Sequence, residues 1–409
     1  MLTTPQLKTP QLTTMPRELR VGIDVGGHVH AVAVGLSDGA LLDEFEVPHG
    51  KLGFEAFFSR IESHAARHGV AVAVAMEGYN GHARPLDTLV QARAWRLFNI
   101  NNLKLARFKE IFPGAAKTDP LDARKALELF QLRDHLPLAK GVLQEVPVVA
   151  RENAILKRLS RRRRCLVEDR GRLSSSMQSD LRAVAPGLLE ITGDAANLWF
   201  LRFLTSVRGL ERLARRRPAS LRKIPGVGVK YAAAIMAWQS CAQFSHEVSY
   251  VGDMIQEDAA AILALGRRIK ALDADIARLS ESSAMARRLI SIPGFGPTCA
   301  AELAGEIGAI ERFAAEASLA LYLGMAPLDN SSGKFRSSKV PRHVNKRAKA
   351  AMMTAVDRHR KGAPQSQRYY EKKRAMGKTH NQAIRALGRH LCRVIFKMIT
   401  TDQPYRIKP

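Results

Sequence analysis

Arg20-Val21-Gly22-Ile23-Asp24-Val25-Gly26 is the segment from which the fold of the N-terminal third can be predicted. It is a short apolar run broken by one acid, Asp24, and two glycines at 26–27 separate it from a second run, rich in β-branched residues, at 29–34. A third apolar run follows at 41–47. Short apolar runs punctuated by glycine predict a meander of three strands.

Helices and strands alternate after this meander. The sequence predicts a helix at 52–67, a strand at 70–76 that ends at Glu77, a helix at about 82–93 and a strand at 95–100. This order predicts a mixed α/β sheet with helices packed on it. Asp24 and Glu77 would then lie at or near the ends of adjacent strands. Because burying an unpaired carboxylate is strongly unfavourable, such acids need a cation or hydrogen-bond donors.

A second pair of acids opens a helix that continues to about residue 132. Asp119 and Asp122 lie in the segment Lys117-Thr-Asp-Pro-Leu-Asp-Ala-Arg124, and their spacing places both on one face of the first helical turn. One interpretation is plain capping, with an acid at the N-cap and proline at the first helical position. Taken with the two strand-borne acids, however, four carboxylates can hold two Mg²⁺ ions, the arrangement used for in-line attack at phosphodiesters.

The charge of the chain is large and unevenly distributed. Sixty-four Lys+Arg against 38 Asp+Glu leave +26 over 409 residues, which indicates a polyanionic partner. Residues 1–150 are almost neutral, whereas residues 331–409 hold 21 basic and 3 acidic side chains. We expect the basic region to bind phosphates. A disordered basic arm is the alternative, but Ile384, Leu387 and Leu391 recur at helical spacing and favour folded structure.

Composition also excludes several classes of protein. No run approaches the roughly 18 apolar residues that a membrane span requires. Residues 1–19 are polar and lack the apolar centre of a signal peptide, so we expect a flexible tail. The four cysteines are far apart, which argues against a zinc knuckle or a disulfide framework. We therefore expect an intracellular protein that handles nucleic acid.

The middle of the chain shows a heptad pattern. One position of the heptad is β-branched throughout and the other is mostly leucine: Val248, Ile255, Ile262, Ile269 and Ile276, and Val251, Leu265, Leu272 and Leu279. This pattern favours a two-stranded coiled coil. Asp258 interrupts it. Self-association through this helix and helix pairing within one chain are both open.

An internal echo flanks this helix. Ile224-Pro225-Gly226-Val227-Gly228 recurs as Ile292-Pro293-Gly294-Phe295-Gly296, and each copy runs into an alanine-rich helix. Ile-Pro-Gly-x-Gly between two helices is the helix-hairpin-helix signature, in which glycines let the backbone approach a DNA phosphate. We expect Gly226, Gly228, Gly294 and Gly296 to bind DNA in this way. The alternative is a tight corner between helices that binds no ligand.

Three short segments carry a family resemblance. Gly22-Ile-Asp-Val-Gly26, Ala75-Met-Glu-Gly78 and Lys117-Thr-Asp-Pro-Leu-Asp-Ala123 resemble the DEDD transposases of the IS110 insertion-sequence family. The order of the acids also resembles the RuvC-like, RNase H-type nuclease fold. Gly-Ile-Asp-Val-Gly also opens the phosphate loop of actin-like sugar kinases, but those proteins usually carry Gly-Thr at this point and would not explain the basic C-terminus.

The C-terminal region extends the resemblance. Gly324-Met-Ala-Pro327, followed by Ser331-Ser332-Gly333, looks like the family segment whose serine is the nucleophile of a covalent phosphoserine link to DNA. That serine maps to Ser332, with Ser331 as the neighbour that could be confused with it. Without the resemblance, Ser-Ser-Gly is an ordinary turn. Cations that could stabilise the developing charge or bind nucleic acid follow it: Lys334, Arg336, Lys339, Arg342, Lys346 and Arg347.

The resemblance implies a DNA recombinase with four parts. These are a tail (1–19), a RuvC-like DEDD nuclease domain (20–145), a helical coiled-coil segment (146–285) and a mostly α-helical transposase domain (286–409). It further implies Mg²⁺ as cofactor, double-stranded donor and target DNA, a structured noncoding guide RNA, and a homo-oligomer in a prokaryotic cytoplasm. Two alternatives are a RuvC-like structure-specific nuclease that uses water and a non-catalytic nucleic-acid-binding protein.

Overall fold

We describe a computed structural model of the chain. The described residues are 17–78, 81–110, 118–134, 142–330, 338–339, 341 and 344–406. The chain divides into two compact units, Met1–Val148 and Val149–Pro409, so the helical middle and the basic C-terminal region belong to the same unit.

The first unit is built on a six-stranded mixed sheet. Its strands are β1 (Glu18–Asp24), β2 (Val29–Leu36), β3 (Leu41–Pro48), β4 (Ala71–Glu77), β5 (Arg96–Ile100) and β6 (Leu143–Glu145). They lie in the order β3-β2-β1-β4-β5-β6. The first three strands form the antiparallel meander, whereas β4 pairs parallel with β1 and β5 parallel with β4. The expected mixed α/β sheet is therefore confirmed, and the three-residue strand β6 is an addition that sequence patterning had not indicated.

Helices cover both faces of this sheet. They are α1 (Lys51–His68), α2 (Arg84–Ala92), α3 (Asn102–Lys109) and α4 (Asp119–Leu132). On one face, Phe57 and Ile61 of α1 share a core with Val21 and Ile23 of β1. On the other, α4 packs against alanines: Ala31, Ala33, Ala73 and Ala75. Small side chains allow a helix to lie close to a sheet, and this sets the position of α4.

The second unit is mostly helical. Its α-helices are α5 (Arg151–Val184), α6 (Leu198–Leu204), α7 (Pro218–Leu221), α8 (Val229–Gln239), α9 (Val248–Ser282), α10 (Ala284–Ile290), α11 (Pro297–Ile307), α12 (Glu316–Tyr322), α13 (Lys346–Gly362), α14 (Pro364–Ala375) and α15 (His380–Thr400). Two short strands, β7 (Leu328–Asp329) and β8 (Ser338–Lys339), pair with each other in antiparallel orientation. Three-residue and six-residue 3-10 helices complete the unit, among them Leu210–Arg215. Ile384, Leu387 and Leu391 of α15 are buried, in agreement with the folded C-terminus that their spacing favoured.

The heptad helix α9 pairs with α5 of the same chain. Its β-branched heptad positions, including Ile255, Ile262 and Ile276, are buried, while Leu265 and Leu272 at the other position are half-buried. Packing within one chain, one of the two arrangements that the sequence left open, therefore explains the repeat. In the described ranges, no helix combines the length and the apolar content needed to cross a bilayer.

Candidate active site

Asp24 and Glu77 are neighbours at one edge of the sheet. Each is the last residue of its strand, β1 and β4 respectively. The two strands run parallel, and Ile23 lies opposite Met76, so the next residue on each strand is one of the two acids. Both carboxylates are half-buried. The carboxyl ends of parallel strands meet at the same edge of a sheet, which is where open α/β folds bind ligands.

Helix α4 brings the other two acids toward the same edge because β1 is shaped to receive it. Gly22 lies two residues before Asp24 on the same face of the strand. A β-carbon on Gly22 would come within 2.6 Å of the Leu127 backbone nitrogen and 2.8 Å of the Ala123 carbonyl oxygen. The glycine of the Gly-Ile-Asp-Val-Gly motif is therefore required for close contact with the helix.

Arg20 fixes the opposite end of α4. Its guanidinium, 3% exposed, donates to the carbonyl oxygens of Phe130 (2.8 Å) and Gln131 (3.1 Å) at the end of the helix. It also forms ion pairs with Glu18 and Asp134. A cation near helix C-terminal carbonyls is favourable. Sequence reasoning missed Arg20. The available signal was the alternation along β1, which places Arg20 on the same face as Gly22 and Asp24.

The first turn of α4 presents its acids in different environments. Asp122 is 6% exposed, and Asp119 is exposed. The Nζ atom of Lys109, the last residue of α3, lies 2.9 Å from Oδ2 of Asp122. Lys109 is a second residue that sequence reasoning missed, because α3 itself was not predicted. The capping interpretation applies only in part: Pro120 stands in the first turn, but the N-cap residue is Thr118, whose side chain makes no capping hydrogen bond.

The four carboxylates interact electrostatically. Burial raises the pKa of Asp24, Lys109 opposes that shift, and the negative charges of Asp122, Glu77 and Asp119 raise the pKa further. Within the described part of the chain, however, no three acidic, histidine or cysteine side chains form a ready-made metal cluster. The result is a group of acids whose repulsion one lysine partly offsets.

Ser332 lies outside the described residues, as do Ser331, Lys334, Arg336 and Arg342. The structure shows instead what flanks them. The hairpin of β7 and β8 pairs Leu328 with Lys339, which joins the two ends of the segment between these strands. Lys339, Lys346 and Arg347 are exposed, and the last two stand in the first turn of α13. Two cations at the positive end of a helix are unfavourable unless an anion binds there.

Asn345 anchors the start of α13 to the core of the unit. Its side-chain oxygen accepts hydrogen bonds from the backbone N–H groups of Arg347 and Ala348, both at 3.1 Å. Its Nδ2 atom donates to Oε2 of Glu306 (2.7 Å) and to the hydroxyl oxygen of Tyr322 (2.6 Å). The partners lie tens of residues away, so no local pattern could reveal this network.

The two Ile-Pro-Gly-x-Gly segments form similar turns. Gly226 and Gly294 both adopt left-handed backbone conformations, with φ of 95° and 85°. Gly228 and Gly296 are the N-cap residues of α8 and α11 and have ordinary extended conformations. Trp199 packs on Gly226, whereas the backbone of His359 packs on Gly294.

Comparison with known proteins adds an independent observation. An IS110-type DEDD family model, described as "Transposase", matches residues 21–186, and the model of the "Transposase IS116/IS110/IS902 family" matches residues 286–371. The chain is 26% identical over 389 residues to the "Insertion element IS110 uncharacterized 43.6 kDa protein" of Streptomyces coelicolor, with 93% of each chain covered. It is also 26% identical over 407 residues to an IS116 protein of Streptomyces clavuligerus, covering 97% of this chain and 98% of the relative. An IS900 protein of Mycobacterium paratuberculosis is again 26% identical, over 96% of this chain and 98% of its own.

Proposed function

The chain belongs to the IS110 family of insertion-element transposases, enzymes that act on DNA strands, and we propose that it cuts and rejoins DNA with an acidic metal site and a serine nucleophile. In this proposal the four acids of the first unit bind Mg²⁺, and Ser332 of the second unit is the nucleophile. A structured noncoding RNA guides the reaction, and the enzyme acts as a homo-oligomer on double-stranded donor and target DNA.

The observation that carries this proposal is the convergence of three elements on one sheet edge. Asp24 and Glu77 end adjacent parallel strands, and Gly22 lets α4 come close enough for Asp122 to influence the pKa of Asp24. Placing acids from three separate elements close together costs free energy, because the carboxylates repel one another and are partly buried. Such an arrangement is typical of a site where the negative charge has a function.

The sheet topology supports a RuvC-like, RNase H-type assignment. The strand order β3-β2-β1-β4-β5, with an antiparallel meander followed by parallel strands, is the order of that fold. Asp24 on the first strand, Glu77 on the fourth and Asp122 on a following helix keep the order of acids that the family resemblance implies.

The donor set fits Mg²⁺. All four candidate ligands are carboxylates, the hard oxygen donors that Mg²⁺ prefers, and Mg²⁺ commonly uses one or two carboxylates together with substrate phosphates instead of a closed protein cage. A bound ion would stabilise negative charge developing on the phosphodiester. Before binding, Lys109 supplies the positive charge beside Asp122. We infer that Lys109 must give up this ion pair when a divalent ion binds.

Ser332 is proposed to attack the phosphorus atom of a DNA strand. Its hydroxyl would lose a proton, form a phosphoserine ester and displace one strand oxygen, which leaves as a hydroxyl after taking up a proton. A cationic surrounding is required for this step. Lys339 is exposed at the end of the segment that contains Ser332, and Lys346 and Arg347 are exposed at the start of the next helix, which supports the proposal.

Site variants test the strand-transfer proposal. Asp122→Asn and Ser332→Ala should each abolish strand transfer while retaining DNA binding, and a denaturing gel with a suicide substrate should show a covalent protein–DNA adduct in the wild type only. Ser331→Ala and Glu46→Gln, an exposed acid on β3, serve as matched controls that should transfer normally. Normal recombination by Ser332→Ala, with no adduct in the wild type, would instead support a nuclease that uses water. Sequencing of co-purified nucleic acid tests the guide RNA separately.

Calorimetric titration with Mg²⁺ tests the acidic site without DNA. Asp24→Asn should weaken binding at least tenfold, and Lys109→Met should strengthen it because the competing ammonium is gone. The control Lys51→Met changes an exposed lysine of α1 and should leave the affinity unchanged. Unchanged affinity in both site variants would refute the assignment of these acids.

A further inference from the structure

One segment of the second unit combines a very high positive charge with an almost complete lack of acids. Residues 202–230, called here the basic segment, contain nine basic side chains and one acid, Glu211. It lies between the regions that the two family models match, 21–186 and 286–371. Neither match therefore says what this charge is for.

Most of these cations are exposed and unneutralised. Seven are exposed: Arg208, Arg212, Arg215, Arg217, Arg222, Lys223 and Lys230. Within the ranges that the structure describes, none of the seven forms an ion pair with an acidic side chain. Like charges held this close along a chain repel one another, and a polyanion removes that repulsion on binding.

The backbone that carries these cations is held firmly. Leu210, Leu213 and Leu221 are buried in the core of the unit. Gln239 of α8 donates to the carbonyl oxygens of Leu213 (2.7 Å) and Arg216 (3.1 Å), which ties the 3-10 helix of the segment to the helix that follows its turn. This stretch is therefore a folded part of the unit, in contrast to a disordered basic arm.

Further hydrogen bonds lock the remaining parts of the segment together. Gln256 of α9 donates to the carbonyl oxygens of Leu204 (2.7 Å) and Val207 (2.8 Å). Arg202 donates to the carbonyl oxygen of Pro225 (3.0 Å), which joins α6 to the Ile-Pro-Gly-Val-Gly turn. A rigid frame presents its cations without a large loss of backbone entropy on binding.

We propose that the basic segment is a second DNA-binding surface, which contacts the phosphate backbone of double-stranded DNA independently of its sequence. Surfaces for single-stranded nucleic acid combine cations with exposed aromatic rings on which bases stack. The only aromatic residue within the segment, Phe203, is buried, and Tyr231 next to it stacks on Trp199. Exposed arginines and lysines without stacking rings suit phosphate contacts, which position a duplex and do not read it.

The proposal depends on the DNA partner of the proposed function but on none of its catalytic residues. The test therefore uses the full chain in EDTA, where the acidic site cannot bind a divalent ion. Binding of a 30-base-pair duplex of arbitrary sequence is measured by fluorescence anisotropy at several salt concentrations. The test variant is the triple R217Q/R222Q/K223Q. The matched control is R267Q/R268Q/K270Q, which removes the same charge from exposed residues of α9.

The test triple should lower the affinity for the duplex at least tenfold. It should also reduce the slope of log K against log salt by about 3, one for each lost phosphate contact. The control triple should change the affinity less than threefold, and both should unfold at the wild-type temperature because all six side chains are exposed. The same loss on a second, unrelated duplex would confirm that the contacts are not sequence-specific.

Three outcomes would overturn the proposal. Equal losses in both triples would show that the duplex responds only to net charge. A loss confined to a single-stranded or RNA-duplex probe of equal length would assign the surface to a different ligand. Wild-type affinity of the test triple for DNA would show that the segment does not contact it. None of these outcomes bears on strand transfer, so failure here and failure of the catalytic proposal are distinguishable.

Discussion

The two Ile-Pro-Gly-x-Gly turns have nearly the same sequence and backbone, yet their surroundings differ completely. Helix α8, after the first turn, carries no acid, and the cations around that turn stay exposed. Helix α11, after the second turn, carries Glu302 and Glu306, which pair with Arg164 and Arg161 of α5. The same motif thus precedes a helix whose neighbouring cations stay exposed in one place and a helix whose acids pair with arginines of α5 in the other.

The arginines of α5 show why counting charges is insufficient. Arg161–Arg164 is as basic a run as Arg215–Arg217 of the basic segment. Three of its members are neutralised, Arg161 and Arg164 by α11 and Arg163 by Asp273 of α9. The acids come from residues more than 100 positions away, so only the fold distinguishes arginines that are neutralised in ion pairs from arginines that stay exposed.

The largest effect is expected from removing Glu306, the acid of α11 that pairs with Arg161. Glu306 is 2% exposed, and Arg161 and Asn345 hold the pKa of its carboxyl low against the effect of burial. Glu306→Ala leaves Arg161 without its partner and should lower the free energy of unfolding by about 3 kcal/mol. Urea denaturation measures this loss. Arg212→Ala in the basic segment is the matched change and should cost less than about 0.5 kcal/mol; equal costs would erase the contrast between the regions.

A smaller effect is expected at the second turn itself. A β-carbon on Gly294 would lie 2.4 Å from the backbone nitrogen of His359, and its φ of 85° is strained for any other residue. Gly294→Ala should therefore cost about 2 kcal/mol. Gly296→Ala is the control, because among the described residues no atom beyond its chain neighbours lies within 4 Å of the added carbon, and its φ is −66°. Thermal unfolding of both variants checks the difference, and a stable Gly294→Ala would mean that His359 does not pack against this turn.

The smallest effect concerns Lys157, a lysine of α5 close to Arg161 and Glu306. Burial lowers the pKa of Lys157, Arg161 adds to this shift and Glu306 opposes it, so that the pKa falls from 10.5 to about 8. Between these two values the unfolded chain binds a proton that the folded chain has lost, so the free energy of unfolding rises with pH. Lys157→Met should flatten that rise between pH 8 and 10 and stabilise the protein at pH 7.

Urea denaturation at several pH values measures this dependence. The control is Lys270→Met, an exposed lysine of α9 on which no such burial acts, and this variant should keep the wild-type profile. An unchanged rise in the Lys157→Met variant would show that other groups cause it.

Much of the first unit could be predicted from local patterns. The strands of the meander, the ends of β4 and β5 and the extent of α4 differ from the expectation by only a few residues, because each is a short apolar run bounded by glycine, proline or polar residues. Helix α3 and strand β6 escaped prediction because neither has a strong periodic pattern. Lys109 lies on that unpredicted helix, so its ion pair with Asp122 could not be anticipated.

The candidate site was predictable to the extent that each acid ends or begins a local element. Asp24 and Glu77 followed from strand ends, and Asp119 and Asp122 from a helix start. Their mutual influence on the pKa of Asp24 required the strand order and the close contact that Gly22 allows. The serine segment remains a prediction, since Ser332 lies outside the described residues.

The local elements, the excess of positive charge and the family of the protein follow from the amino-acid sequence without any coordinates. They do so because apolar periodicity, glycine placement and motif spacing act over a few residues at a time. Only the three-dimensional structure shows which cations are neutralised and which face of the heptad helix is buried within the chain. It also shows that α4 packs closely on Gly22 of β1. These outcomes depend on contacts between residues that are far apart in the chain, and a side chain's electrostatic state is fixed by what folding places beside it.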